Sequence, residues 1–169
     1  MPKTDTAKLL VNQAVSQLQA ASAALAVLRN EMQSLAASLP EYPVVMGMFG
    51  VGPALGPQLM AEIGDVRRFY SKKALVAFAG IDAPPYQSGQ MEVRSRSISK
   101  RGSSALRRTL FLVMRVILQR SPADEPVYQF MDRKRTEGKP YRVYMMASAN
   151  KFLRIYYATV KKHLDSLEV

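Results

Sequence analysis

Cysteine and tryptophan are absent from the 169 residues, and histidine occurs once, as His163. The first absence excludes disulfides and thiolate metal sites, and a single imidazole cannot form a histidine-based metal set. No apolar run approaches the ~20 residues needed to cross a bilayer. The opening Met1-Pro2-Lys3-Thr4 also lacks the apolar stretch of a signal peptide. A soluble, cytoplasmic protein is therefore expected. Acidic residues are scarce too: 13 Asp and Glu face 24 Lys and Arg, giving a net charge of +11. Apolar residues are not in deficit. At 48% of the chain they suit one folded domain, or one domain with an extension, and exclude a disordered basic tail.

The charge is unevenly placed. Residues 1–66 carry three basic and five acidic residues, whereas residues 93–120 carry eight basic and none acidic. Residues 133–162 add nine basic residues opposed only by Glu137. Clustering of this kind points to a polyanionic partner, although several of these side chains simply solvate helix faces.

The spacing predicts one long first helix. Apolar residues recur at Ala7, Val11, Ala14, Leu18, Ala21, Leu25, Leu28, Met32, Leu35 and Leu39, in alternating steps of four and three. That is a heptad seam, capped by Thr4, Asp5 or Thr6 and stopped by Pro40 and Pro43. Its partner is either its own domain or the same helix of a second copy. The seam's length favours a homodimer or higher oligomer formed through residues 5–39.

The expected fold class is mainly α, with residues 1–40 as a coiled-coil helix and residues 41–169 as a compact helical domain. Within 44–64, Phe49-Gly50-Val51-Gly52-Pro53 sits between two short helices and resembles a helix-hairpin-helix. Its glycines permit a tight turn and its next helix start can face a phosphate. An ordinary turn that binds nothing fits as well. Pro53 suits a first helical turn, whereas Pro57 costs a hydrogen bond in the second helix. Ser71 then caps a helix 73–79 ending at Gly80, and residues 81–101 read as an irregular loop or short hairpin. Further helices are predicted from Gly102-Ser103-Ser104 to about Gln119, from Pro126 to Glu137, and from about Tyr141 to Leu164. The methionines Met46, Met48, Met145 and Met146 read as core filling.

Ser88-Gly89 stands about a dozen residues before Ser99-Lys100-Arg101-Gly102 and Leu106-Arg107-Arg108. Residue chemistry alone leaves two readings. The commoner is a polar turn feeding a solvated basic helix. The other is a hydroxyl nucleophile beside cations that bind a phosphodiester and offset charge as it is attacked.

These pieces, in this order, resemble the C-terminal, transposase-twenty domain of the insertion-sequence family called IS one-ten, related to the Piv invertases. The resemblance rests on Gly50-Val51-Gly52, Ala61-Glu62-Ile63-Gly64-Asp65, Arg68-Phe69, Ala77-Phe78-Ala79-Gly80, Ser88-Gly89, Ile98-Ser99-Lys100-Arg101-Gly102, Leu106-Arg107 and Gly138-Lys139. It covers roughly residues 44–164. It implies a DNA transposase or recombinase in which Ser88 is the nucleophile. Arg94, Arg96, Lys100, Arg101, Arg107 and Arg108 become phosphate contacts, and Gly50, Val51 and Gly52 lie near the nucleic-acid backbone. It further implies a DNA partner, for many members a guide (bridge) RNA, and a nucleoid-associated location. Family members carry Mg in an N-terminal RuvC-like domain with an Asp-Glu-Asp-Asp site. No cofactor or metal is expected in this chain, because its acidic residues, such as Asp65, Asp82 and Glu92, are scattered. The sequence begins where the coiled coil begins, so it is expected to be inactive alone. Two other functions compete: a non-catalytic DNA- or RNA-binding architectural module, and a tyrosine recombinase using Tyr86 or another of the eight tyrosines. The latter needs an Arg-His-Arg set that only His163 could serve, and that histidine reads as a polar residue at a helix end.

Overall fold

The computed structural model describes residues 5–83 and 97–168. Among them are seven α-helices, one 3-10 turn and no strand. The helices are α1 (Asp5–Ala37), α2 (Tyr42–Met46), α3 (Leu55–Ile63), α4 (Lys72–Ala79), α5 (Ser104–Arg120), α6 (Pro126–Thr136) and α7 (Tyr141–Ser166). The 3-10 turn is Val66–Arg68. The mainly α architecture with a long N-terminal helix is the one the sequence predicts.

Local chemistry explains most boundaries. Ser71 Oγ accepts the Ala74 N–H at the start of α4, and Ser103 Oγ accepts the Leu106 N–H at the start of α5. The Glu125 carboxylate does the same for Tyr128 at α6, with Pro126 in the first turn. At the other end of α4, Gly80 turns left-handed with φ 65°, a conformation that costs glycine little. Pro57 corrects the sequence reading. It is the third residue of α3, within the first turn, where a missing N–H costs far less than in a helix interior. Pro53 lies ahead of α3, in the turn, and not in its first helical turn.

The core runs along α7. Phe152, Leu153 and Tyr156 of α7 are buried with Leu106, Leu110, Met114 and Ile117 of α5, Leu59 and Ile63 of α3, and Leu75 of α4. Met145 is fully buried among them, while Met48 and Met146 pack at the margin, in keeping with the core-filling reading. Each fully buried aliphatic side chain contributes about 1.5–3 kcal/mol against the entropy of ordering the chain. The first helix is different. Only Ala36, near its C-terminal end, is buried, where α1 rests against α2 and α3. Leu18 at 68%, Leu25 at 47% and Leu35 at 70% exposure show how little of the seam this chain covers by itself.

Candidate nucleic-acid interface

The predicted nucleophile, Ser88, lies outside the described residues, as do Arg94, Arg96 and Tyr86. What the structure describes is the neck on either side of that segment. Ser99 N–H donates to Asp82 O at 2.9 Å, Lys100 N–H to Gly80 O at 3.0 Å, and Ser103 N–H to Phe78 O at 2.7 Å. Ser99 Oγ also bonds the Asp82 carboxylate. At this crossing two backbones touch: a Cβ added to Gly102 would overlap the carbonyl of Phe78. Lys100 adopts φ 56°, unusual for a residue with a side chain. Phe78 is held in turn by Phe69 and by the Arg68 guanidinium, 4.8 Å from its ring centre. Several of the motif residues that carry the family resemblance, Phe78, Gly80, Ser99, Lys100 and Gly102 among them, thus build this neck.

The cations divided by the sequence reading into one list have different surroundings. Arg107 is half-buried, and its Nη1 donates to Ala79 O at 3.1 Å and Gly102 O at 3.2 Å, clamping the end of α4 to the start of α5. Arg108, one residue on, is exposed, as are Lys100 and Arg101. The glycine turn lies elsewhere. Gly50 has φ 81°, and an added Cβ would come within 2.7 Å of Ile117 Cγ1 on α5. Val51 is buried. Of the three turn residues only Gly52 faces open space. Beside it a cavity of about 430 Å3 is lined by residues 49–55 with Val116 and Arg120. Because Gly50 meets α5 near Ile117 and the neck meets it near Ser104, the two predicted contact regions stand about 20 Å apart along that helix.

A larger cavity, about 820 Å3, adjoins the neck. Ile81, Ala83, Ser97 and Ile98 form one wall, and α5, α6 and α7 the others. Lys100, Arg142, Lys151 and Arg154 converge on it, with no acidic residue among the described residues of its lining. The last three were present in the sequence only as part of the basic surplus at 133–162. A usable signal existed: Arg142, Met146, Asn150 and Arg154 recur at every fourth position, one row on a helix face.

Two further carboxylates are engaged by the fold. Asp65 caps the 3-10 turn by accepting the Arg67 N–H at 2.8 Å, and side-chain hydrogen bonds from Arg67 hold its carboxyl below the usual range. Glu62 accepts from Ser103 Oγ at 3.0 Å. Among the described residues no three His, Cys, Asp or Glu side chains group to hold a metal ion. His163 lies in the last turn of α7, with Nε2 3.0 Å from Pro40 O, joining that end to the turn after α1. No described helix is long and apolar enough to cross a membrane.

The profile of the transposase IS116/IS110/IS902 family matches residues 42–129, more than half of the sequence. The chain belongs to that family. It is similar to the pilin gene-inverting protein of Moraxella bovis, 30% identical over 135 residues, which is 79% of this chain and 38% of that protein. An uncharacterized 42 kDa protein of insertion element IS900 from Mycobacterium paratuberculosis is 30% identical over 71% of the chain and 29% of its own length. A probable family 20 transposase of Pseudomonas aeruginosa is 26% identical over 90% of the chain and 45% of its own. This transposase-family chain therefore spans less than half the length of these relatives.

Proposed function

We propose that this chain is the part of a DNA recombinase that grips DNA and supplies a serine nucleophile for strand cleavage and joining. The observation that carries the reading is the pinned neck, at which residues on both sides of the Ser88 segment meet beside exposed Lys100 and Arg101. In this reading the Ser88 Oγ attacks a phosphodiester. A bond from serine oxygen to phosphorus forms as a bond from phosphorus to sugar oxygen breaks, so the link is preserved for rejoining. A serine hydroxyl titrates far above neutrality and needs a base. In this reading activation falls to a RuvC-like domain acting with this chain, and Mg belongs to that domain. Lys100, Arg101 and Arg108 offset phosphate charge. A guide RNA is the second nucleic-acid partner in this reading, and α1 pairs two copies through its uncovered seam.

In a recombination assay that supplies the RuvC-like domain, Ser88→Ala abolishes strand joining and leaves DNA affinity within about twofold. The unsubstituted protein yields a covalent adduct that maps to Ser88 by peptide mass. Wild-type-like joining by Ser88→Ala sinks the nucleophile assignment and leaves an architectural nucleic-acid-binding module.

A further inference from the structure

The 820 Å3 cavity beside the neck has a composition that its place near a phosphate-binding surface does not by itself require. Its size falls within the range of small-ligand pockets. Phe111, Phe130, Val143 and Met146 present apolar surface to it, and both phenylalanines are only half-buried. The Phe130 ring lies among cations, with Arg133 Cζ 5.3 Å, Lys134 Nζ 5.8 Å and Lys151 Nζ 5.2 Å from its centre. A purely apolar ligand would leave Lys100, Arg142 and Arg154 of the described lining with no counter-charge beyond solvent. A simple anion would leave the aromatic floor bare. A nucleotide offers both a flat apolar face and an adjacent negative charge, and stacking of a base on an aromatic side chain is indifferent to sequence.

Resting on the nucleic-acid reading above, we propose that this cavity receives one unstacked nucleotide from a single-stranded segment. The base lies against Phe130 and Met146, and the Asn150 amide, which both donates and accepts, meets its edge. The flanking phosphates bind Lys100, Arg142 and Arg154. Lys151 Nζ already donates to Pro126 O at 2.7 Å and serves to fix α6 against α7. A paired base enters such a site only after unpairing, which costs a few kcal/mol, so the cavity favours single strands over duplex.

The test uses the full chain and a twelve-nucleotide DNA strand with one 2-aminopurine, presented single-stranded and as a duplex at one fixed salt concentration. The single strand binds more tightly than the duplex, and 2-aminopurine emission rises as the base leaves its neighbours. Phe130→Leu weakens single-strand binding about tenfold or more, removes the emission change and leaves duplex affinity within about twofold. The helical circular dichroism signal checks that the variant folds, and Asn150→Ala, on a half-buried position, repeats the test should it not. A ribose version of the strand identifies which nucleic acid is the better source. Unchanged single-strand affinity in both folded variants, with no emission change in the wild type, overturns the cavity assignment and leaves duplex binding standing. Failure of the unsubstituted chain to bind either form overturns the nucleic-acid reading itself.

Discussion

Arg107 and Arg108 are neighbours of one residue type with opposite surroundings, and they separate architecture from binding. Arg107 spends a guanidinium N–H on two carbonyls across the α4–α5 junction. Removing it leaves those half-buried carbonyls short of a charged donor, which costs about 1–3 kcal/mol of stability. Arg108 has no such engagement among the described residues. Its alanine variant keeps stability within about 0.5 kcal/mol, but weakens DNA binding for all sequences alike and lowers the salt slope by about one. Urea titration and fluorescence anisotropy at several salt concentrations check both substitutions. A large stability loss in Arg108→Ala, or none in Arg107→Ala, would contradict the division. Gly102 makes the same point about architecture: its place in the motif follows from contact with the Phe78 backbone.

Two helices illustrate what an element can and cannot hide. The seam of α1 leaves a stripe from Val11 to Leu35 facing water in one chain. A contiguous apolar stripe of that length marks an interaction surface, and the heptad spacing suits a second copy. Leu18→Lys with Leu25→Lys, both at exposed positions, is expected to turn a dimer into a monomer without loss of the helical core. Sedimentation equilibrium reads the change, and a wild type that sediments as a monomer sinks the pairing. In α7 the opposite holds. Tyr156 is almost wholly buried, and desolvation, with the Glu41 carboxylate adding to it, pushes its hydroxyl above the ordinary tyrosine value. The unfolded chain therefore loses this proton near pH 10 while the folded chain keeps it. Stability from this group is complete below that pH and falls as the pH rises further. Tyr156→Phe is expected to show a shallower decline in urea midpoint above pH 10 than the wild type, and parallel curves would refute this.

Across the whole molecule, charge and shape are organised on different sequence scales. The acidic caps are spent locally, whereas the basic residues of α5, α6 and α7 come from distant parts of the chain and leave a basic excess on these helices. Binding driven by such a surface releases counterions. Affinity for duplex DNA is expected to fall by at least tenfold between 50 and 200 mM salt if about three or more phosphates are contacted. Anisotropy across that range measures the slope, and a flat response would reduce the basic face to a solvated surface. Glycine turn and neck stand about 20 Å apart on α5, so in the proposed reading they would be two anchor points for one nucleic acid and not one site.

Much of this fold was legible in the residues themselves. Ser71, Ser103 and Gly80 act through neighbours three or four positions away, and Pro126 through its own fixed φ in a first turn, so helix starts and stops follow from local geometry. The α1 seam was legible because its period matches the helix. The roles of Arg107, Gly50 and Gly102 were not, since each depends on a contact made by another segment: Ala79 for Arg107, Ile117 for Gly50 and Phe78 for Gly102. The large cavity was equally hidden, because Lys100 and Arg154 are separated by 54 positions and share a pocket only once α7 packs along the core. Helical periodicity and capping are local and survive in a sequence; which cation is buried, and which four converge, is decided by packing between elements far apart in the chain.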